Sequence, residues 1–114
     1  MKFRKYYLNS AVITAEGVYE YRLVDKDEAR EWASGESPIS TVGYEQTAVA
    51  LGEILRQTVE VCRKNIKMET GDEALVFRLV FPPGTGRIDP RDKGALDDLV
   101  MRGCYEIGIL KKVK

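Results

Sequence analysis

The sequence predicts a mixed α/β domain of α+β-like order, one sheet of about five strands with helices against it. Three observations predict it. The 114 residues suit a single domain spanning 1–114. Hydrophobic residues make up 44% and charged residues 32%, a globular balance. Apolar residues alternate or run unbroken in some stretches and recur at helical spacing in others, which gives the order β-β-α-α-β-β-α-β.

Residues 3–13 open as a strand through Tyr6, Tyr7, Leu8, Ala11, Val12 and Ile13, and the unbroken apolar run points to burial on both faces. Thr14-Ala15-Glu16-Gly17 is a turn, and the alternation from Val18 to Val24 predicts a second strand. Asp25 caps a short helix, with Glu28 placed three residues on as a capping box requires. Ala29, Trp32 and Ala33 give that helix its apolar face, and Gly35 suits its end. After the Glu36-Ser37-Pro38 loop, Ser40, Thr41, Gly43 and Tyr44 lead into the clearest helix. There Thr47, Ala48, Leu51, Ile54, Leu55 and Thr58 recur at i, i+3, i+4, i+7 spacing.

Val59 to Met68 reads as a strand with Val59 and Val61 on one face, and Gly71-Asp72 as a turn. Ala74 to Phe81 is the strongest strand signal in the chain. Pro82-Pro83-Gly84-Thr85-Gly86 interrupts it as a loop. Asp89-Pro90 then starts a third helix with Ala95, Leu96, Leu99 and Val100 inward and Gly103 closing it. Cys104 to Leu110 is the last strand, followed by a basic tail, Lys111-Lys112-Val113-Lys114.

Composition removes several chemistries. The 18 basic and 18 acidic side chains cancel, so a main role in holding duplex DNA starts at a disadvantage. With no histidine there is no Ser-His-Asp triad, no Cys-His pair and no imidazole metal ligand. Cys62 and Cys104 stand far apart and form no Cys-x-x-Cys motif, and they read as thiols in a reducing compartment. The N-terminus lacks the apolar run of a signal peptide, and no stretch approaches the about 20 apolar residues of a membrane span. A cytoplasmic protein that needs no metal or cofactor is expected.

No residue set completes a familiar active site alone. Asp97-Asp98 and the Asp25, Asp27, Glu28 group read as solvated or capping carboxylates. The proline- and glycine-rich loop matches neither a P-loop nor a dinucleotide fingerprint. Lys2, Arg4, Lys5 and the tail lysines would make a basic patch only if the termini meet. Two polar clusters are more informative. Asn9-Ser10 interrupts an apolar strand, where an amide and a hydroxyl need partners. The segment Ser40–Thr47 enters a helix whose first amides favour a phosphate.

Four segments, in order, carry a resemblance over nearly the whole chain. They are Leu8-Asn9-Ser10-Ala11-Val12-Ile13-Thr14, Val42-Gly43-Tyr44-Glu45-Gln46-Thr47-Ala48, Gly71 to Leu79, and Tyr105-Glu106-Ile107-Gly108-Ile109-Leu110. The sequence resembles the small homodimeric proteins of archaeal viruses and mobile elements that include the viral type III anti-CRISPR ring nucleases. The resemblance implies a dimer cleft for cyclic tetra-adenylate, cleaved without metal by attack of a ribose 2′-hydroxyl on the neighbouring phosphate. It places Asn9, Ser10 and Thr14 in that cleft, with Gln46 and Thr47 at the helix start, Arg78 at its border, and Thr85 and Arg87 in the covering loop.

Departures from the pattern matter as much. The active ring nucleases carry a histidine where this chain has Tyr44, an arginine that aligns with Pro82, and an acidic residue that aligns with Thr85. A positioned acid or base is worth roughly 10²- to 10⁴-fold in rate. A phenol near pKa 10 can donate a proton but cannot act as a base at neutral pH. The expectation is a cleft that binds the ring and has lost efficient chemistry. The alternatives are a slow ring nuclease with Tyr44 as proton donor, and a weak nucleic-acid-binding protein.

Overall fold

The structure, a computed structural model, describes residues 4–8, 15–34, 38–62, 66–80, 83–84 and 93–114. Its elements in chain order are β1 (Lys5–Leu8), β2 (Tyr19–Val24), α1 (Lys26–Ala33), β3 (Ile39–Ser40), α2 (Glu45–Leu55), β4 (Glu73–Leu79), α3 (Lys93–Met101) and β5 (Tyr105–Lys112). The five strands form one mixed sheet in the order β2-β5-β4-β1-β3. β1 runs parallel to both β3 and β4, while β5 runs antiparallel to β4 and β2. The expected fold class stands.

Alternation along the strands sorts the core into two layers. Tyr7, Leu75, Phe77, Ile107 and Ile109 point to one face, where they meet Ala29 and Ala33 of α1 and Ala48, Leu51, Ile54 and Leu55 of α2. Val100 of α3 packs against the same cluster. Full burial of a side chain such as Phe77 contributes roughly 1.5–3 kcal/mol. The other face carries Tyr6, Leu8, Ala74, Val76 and Leu110, with Met68 and Ile66 packed on them. Both faces of β1 and β4 are thus buried, which explains their unbroken apolar runs.

Local chemistry fixes the helix ends. Asp25 accepts a 2.8 Å hydrogen bond from the Glu28 amide, as its N-cap position predicts. The Glu28 carboxylate pairs with Arg22 of β2 instead of returning to the cap. At the end of α3, Gly103 sits at φ 73°, and Cys104 and Gly103 donate to the Leu99 and Val100 carbonyls. That is a Schellman closure with glycine in the left-handed position. α2 ends by the same bonds, from Gln57 to Gly52 and from Arg56 to Glu53, but with Arg56 at φ 57°. A side chain there carries a steric cost that glycine lacks. Arg56→Gly is therefore expected to raise stability by about 0.5–1 kcal/mol, read as a higher urea midpoint.

Four readings need correction. Residues 59–62 and 66–68 form no strand, because Ile39 and Ser40 take the free edge of β1. The segment is tied down otherwise, by the Ser40 hydroxyl donating to the Glu60 carbonyl and the Cys62 amide donating to the Val42 carbonyl at 2.9 Å. Val59 is buried but Val61 is exposed, so their alternation marks no common face. Thr58 is exposed, beyond the left-handed turn that ends α2. Lys111 and Lys112 belong to β5 rather than to a tail. Lys112 is buried, with its ammonium donating to the Lys114 carbonyl at 2.7 Å and lying 5.9 Å from the Tyr19 ring. Residues 9–13 of the first predicted strand and the Asp89-Pro90 helix start lie outside the described residues.

Tyr7 links sheet and helices. Its hydroxyl donates to Gln57 Oε1 at 3.3 Å, and Gln57 Nε2 donates to the Ala33 carbonyl at 2.7 Å. Burial raises the Tyr7 phenol above its ordinary pKa. The neutral phenol is the form the fold favours. Its stabilisation is fully present below the unfolded value near 10 and is lost as pH rises through the higher folded value. Urea midpoints should fall on that alkaline limb, and Tyr7→Phe should flatten the fall.

Candidate functional site

Parallel pairing of β1, β3 and β4 puts their carboxyl ends on one side of the sheet. Such an edge is where open α/β sheets bind ligands. The chain leaves β3 at Ser40 and enters α2 at Glu45, so the amino end of α2 lies close to that edge. Thr41 holds the connection in place. Its amide and its hydroxyl each donate to the Tyr7 carbonyl at 3.0 Å. Ser40 accepts from the Val42 amide at 3.2 Å while donating to Glu60. The hydroxyls of Ser40 and Thr41 thus serve the backbone.

Tyr44 is the N-cap of α2, with extended backbone at φ −121° and ψ 131°. Its side chain makes no capping hydrogen bond, unlike Asp25 on α1. The first-turn amides therefore receive no hydrogen bond from the side chain of their cap, at the positive end of the helix dipole. Gln46 is half-buried, whereas Thr47 is buried at 7% exposure and turns inward. Glu45, Gln46 and Val49 face Asp97 of α3 across a small groove of about 170 Å³. Two carboxylates here suit hydrogen-bond donors rather than a phosphate.

Arg78 lies near the end of β4, on the sheet face opposite the helices. It is paired with its cross-strand neighbour Glu106 at 3.4 Å. Within one chain, then, Tyr44 and Gln46 come together at the helix start and Arg78 stands apart. Asn9, Ser10, Thr14, Thr85 and Arg87 lie outside the described residues, as does Pro82.

Besides an open groove of about 430 Å³ along α2, lined by Val49, Glu53, Arg56 and Val59 among others, sequence reasoning missed two further clefts larger than the groove at Asp97. One, of about 420 Å³, lies between the end of β2 and the end of α3, lined by Leu23, Val24, Val100, Met101 and Tyr105 with Glu106. The other, about 400 Å³, lies beside β3 against Tyr7, Ile39, Glu60 and Cys62. Neither lining forms a motif in the sequence. Among the described residues no cluster of three or more Cys, Asp or Glu side chains could hold a metal ion. No described helix is long and apolar enough to cross a membrane.

Comparison with known proteins places this arrangement. The fold matches B116 of Sulfolobus turreted icosahedral virus with a TM-score of 0.63. The match covers 95% of this chain and 98% of that one at 15% identity. Among curated proteins nothing matches. The model of the STIV B116-like family matches residues 5–91. With well over half its length matched, from β1 past β4, this chain belongs to the STIV B116-like family.

Proposed function

We propose that this protein binds a cyclic oligoadenylate-type second messenger in a cleft completed by a second copy of the chain. Its role would be to lower the free messenger and so damp type III CRISPR or related defence signalling. One observation carries the reading. The helix that begins at Tyr44, without a side-chain cap from it, opens at the carboxyl edge of three parallel strands. A phosphate there would meet first-turn amides and the helix dipole. The Glu45 and Asp97 carboxylates alongside would accept from the exocyclic amino group of an adenine.

Cleavage of such a ring joins the ribose 2′-oxygen to phosphorus, breaks the bond to the 5′-oxygen, and delivers a proton to that oxygen. Tyr44 stands where the ring nucleases have their proton-donating histidine. Its phenol can supply the proton, so slow cleavage is the second reading. The missing arginine at Pro82 removes stabilisation of charge growing on the phosphate. Sequestration is therefore the main activity expected.

The two separate cleanly. Protein in excess over cyclic tetra-adenylate, in EDTA, should shift the ring on a native gel and release it intact on denaturation. Linear adenylates released on denaturation would make it an enzyme. No shift at any protein concentration would contradict both readings.

A further inference from the structure

We infer that the groove between α2 and α3 reads the base of the bound ring, and that Asp97 is the residue that selects for an exocyclic amino group. This selectivity rests on the ring-binding reading and adds to it the feature by which one ring is preferred over another.

The groove has the size and the lining for a single base. Its volume of about 170 Å³ is well below the roughly 300–1,000 Å³ of sites for drug-sized ligands. Val49 is 47% exposed and offers its methyl groups to the flat face of a base. Gln46 is half-buried and carries both a donor and an acceptor, so its amide nitrogen can donate to a ring nitrogen. The other two lining groups, the Glu45 and Asp97 carboxylates, accept hydrogen bonds and donate none. They repel a phosphate, so charge alone sorts the ring: phosphate toward the amides that open α2, base into the groove.

The two carboxylates are not equivalent. Glu45 stands in the first turn of α2, where the dipole of its own helix favours it. Asp97 lies in the middle of α3 and has no such support. Its neighbour Asp98 is tied to Arg102 at 3.3 Å, one turn on. Asp97 enters none of the ion pairs among the described residues, and it is the one of the two that lines the groove. A base with an amino group gives Asp97 a donor. A base with only hydrogen at that position would cover the carboxylate and leave it without one, which costs the most for a charged acceptor.

The test compares cyclic tetra-adenylate with the cyclic tetramer of purine riboside, which lacks only the amino group, by calorimetric titration of the full chain. The unsubstituted protein should bind the adenylate ring roughly 10- to 100-fold more tightly. Asp97→Ala should bring that ratio close to one. Asp98→Ala removes the same charge one residue away and should keep the preference. Both positions are exposed, so neither variant is expected to lose the fold. Equal affinity of the unsubstituted chain for the two rings, or a full preference retained in Asp97→Ala, would overturn the assignment and leave ring binding standing. A ratio lost equally in Asp98→Ala would overturn it as well, since net charge would then explain the effect. Binding of neither ring would overturn the proposed function, and the base-reading groove with it.

Discussion

Replacing Tyr44 with histidine and Pro82 with arginine is expected to raise cleavage of cyclic tetra-adenylate by about 10²- to 10⁴-fold. The histidine would stand at the cap of α2, beside the amides that hold the phosphate in our reading. An imidazolium gives up a proton near neutral pH far more readily than a phenol does. The arginine would add a charge-assisted donor for the phosphorane-like oxygens. Single-turnover rates of the parent, both single variants and the double variant measure the gain. Tyr44→Phe is the matching control, expected to abolish residual cleavage with binding nearly unchanged. A double variant that binds the ring but leaves it whole would show that these two positions are not where the chemistry was lost.

The largest loss of stability outside the hydrophobic layers is expected at Asp72. Its carboxylate is 3% exposed and accepts from the Arg4 amide at 2.9 Å and the Glu69 amide at 2.8 Å. It thereby ties the entry of β1 to the turn before β4, which the Glu73 amide reinforces by donating to the Arg4 carbonyl at 3.0 Å. Truncation leaves two part-buried amides without their carboxylate acceptor. Hydrogen bonds to a charged group contribute about 1.5–3 kcal/mol each. Asp72→Ala should therefore cost about 3–5 kcal/mol, a large share of the roughly 5–15 kcal/mol that holds a domain together. Asp72→Asn keeps one acceptor oxygen and should fall between. Chemical denaturation of the three proteins decides it, and a loss under about 1 kcal/mol for alanine would mean that the amides find other partners.

Asp72 also shows what the sequence hides. Beside Gly71 it reads as an ordinary turn residue, and its acceptor role depends on Arg4, 68 positions away. α2 was legible because six apolar or small residues recur on one helical face, and all but Thr58 are buried. The two-residue β3 was not, since Ile39-Ser40 carries no period of its own and exists only as the partner of β1. Strand order across the sheet likewise depends on long-range pairing that no local pattern records.

The candidate site was partly legible. The start of α2 could be read from Gly43-Tyr44 before a periodic run, and the structure puts Tyr44 at its cap. The period-two alternation of β4 already grouped Arg78 with Ala74 and Val76, away from Leu75 and Phe77. That signal could have placed Arg78 on the far face from the sequence alone. Thr47 reads equally as a polar group at a helix start and as part of an apolar stripe, and the structure buries it at 7% exposure.

The most direct test of ligand binding at the start of α2 is a titration of the labelled protein with cyclic tetra-adenylate, followed by amide chemical shifts. The largest changes are expected at Glu45, Gln46 and Thr47, whose amides would meet the phosphate, with smaller ones at Asp97. Changes centred instead on the cleft of Leu23, Val100 and Tyr105, or none at all, would contradict binding at this helix.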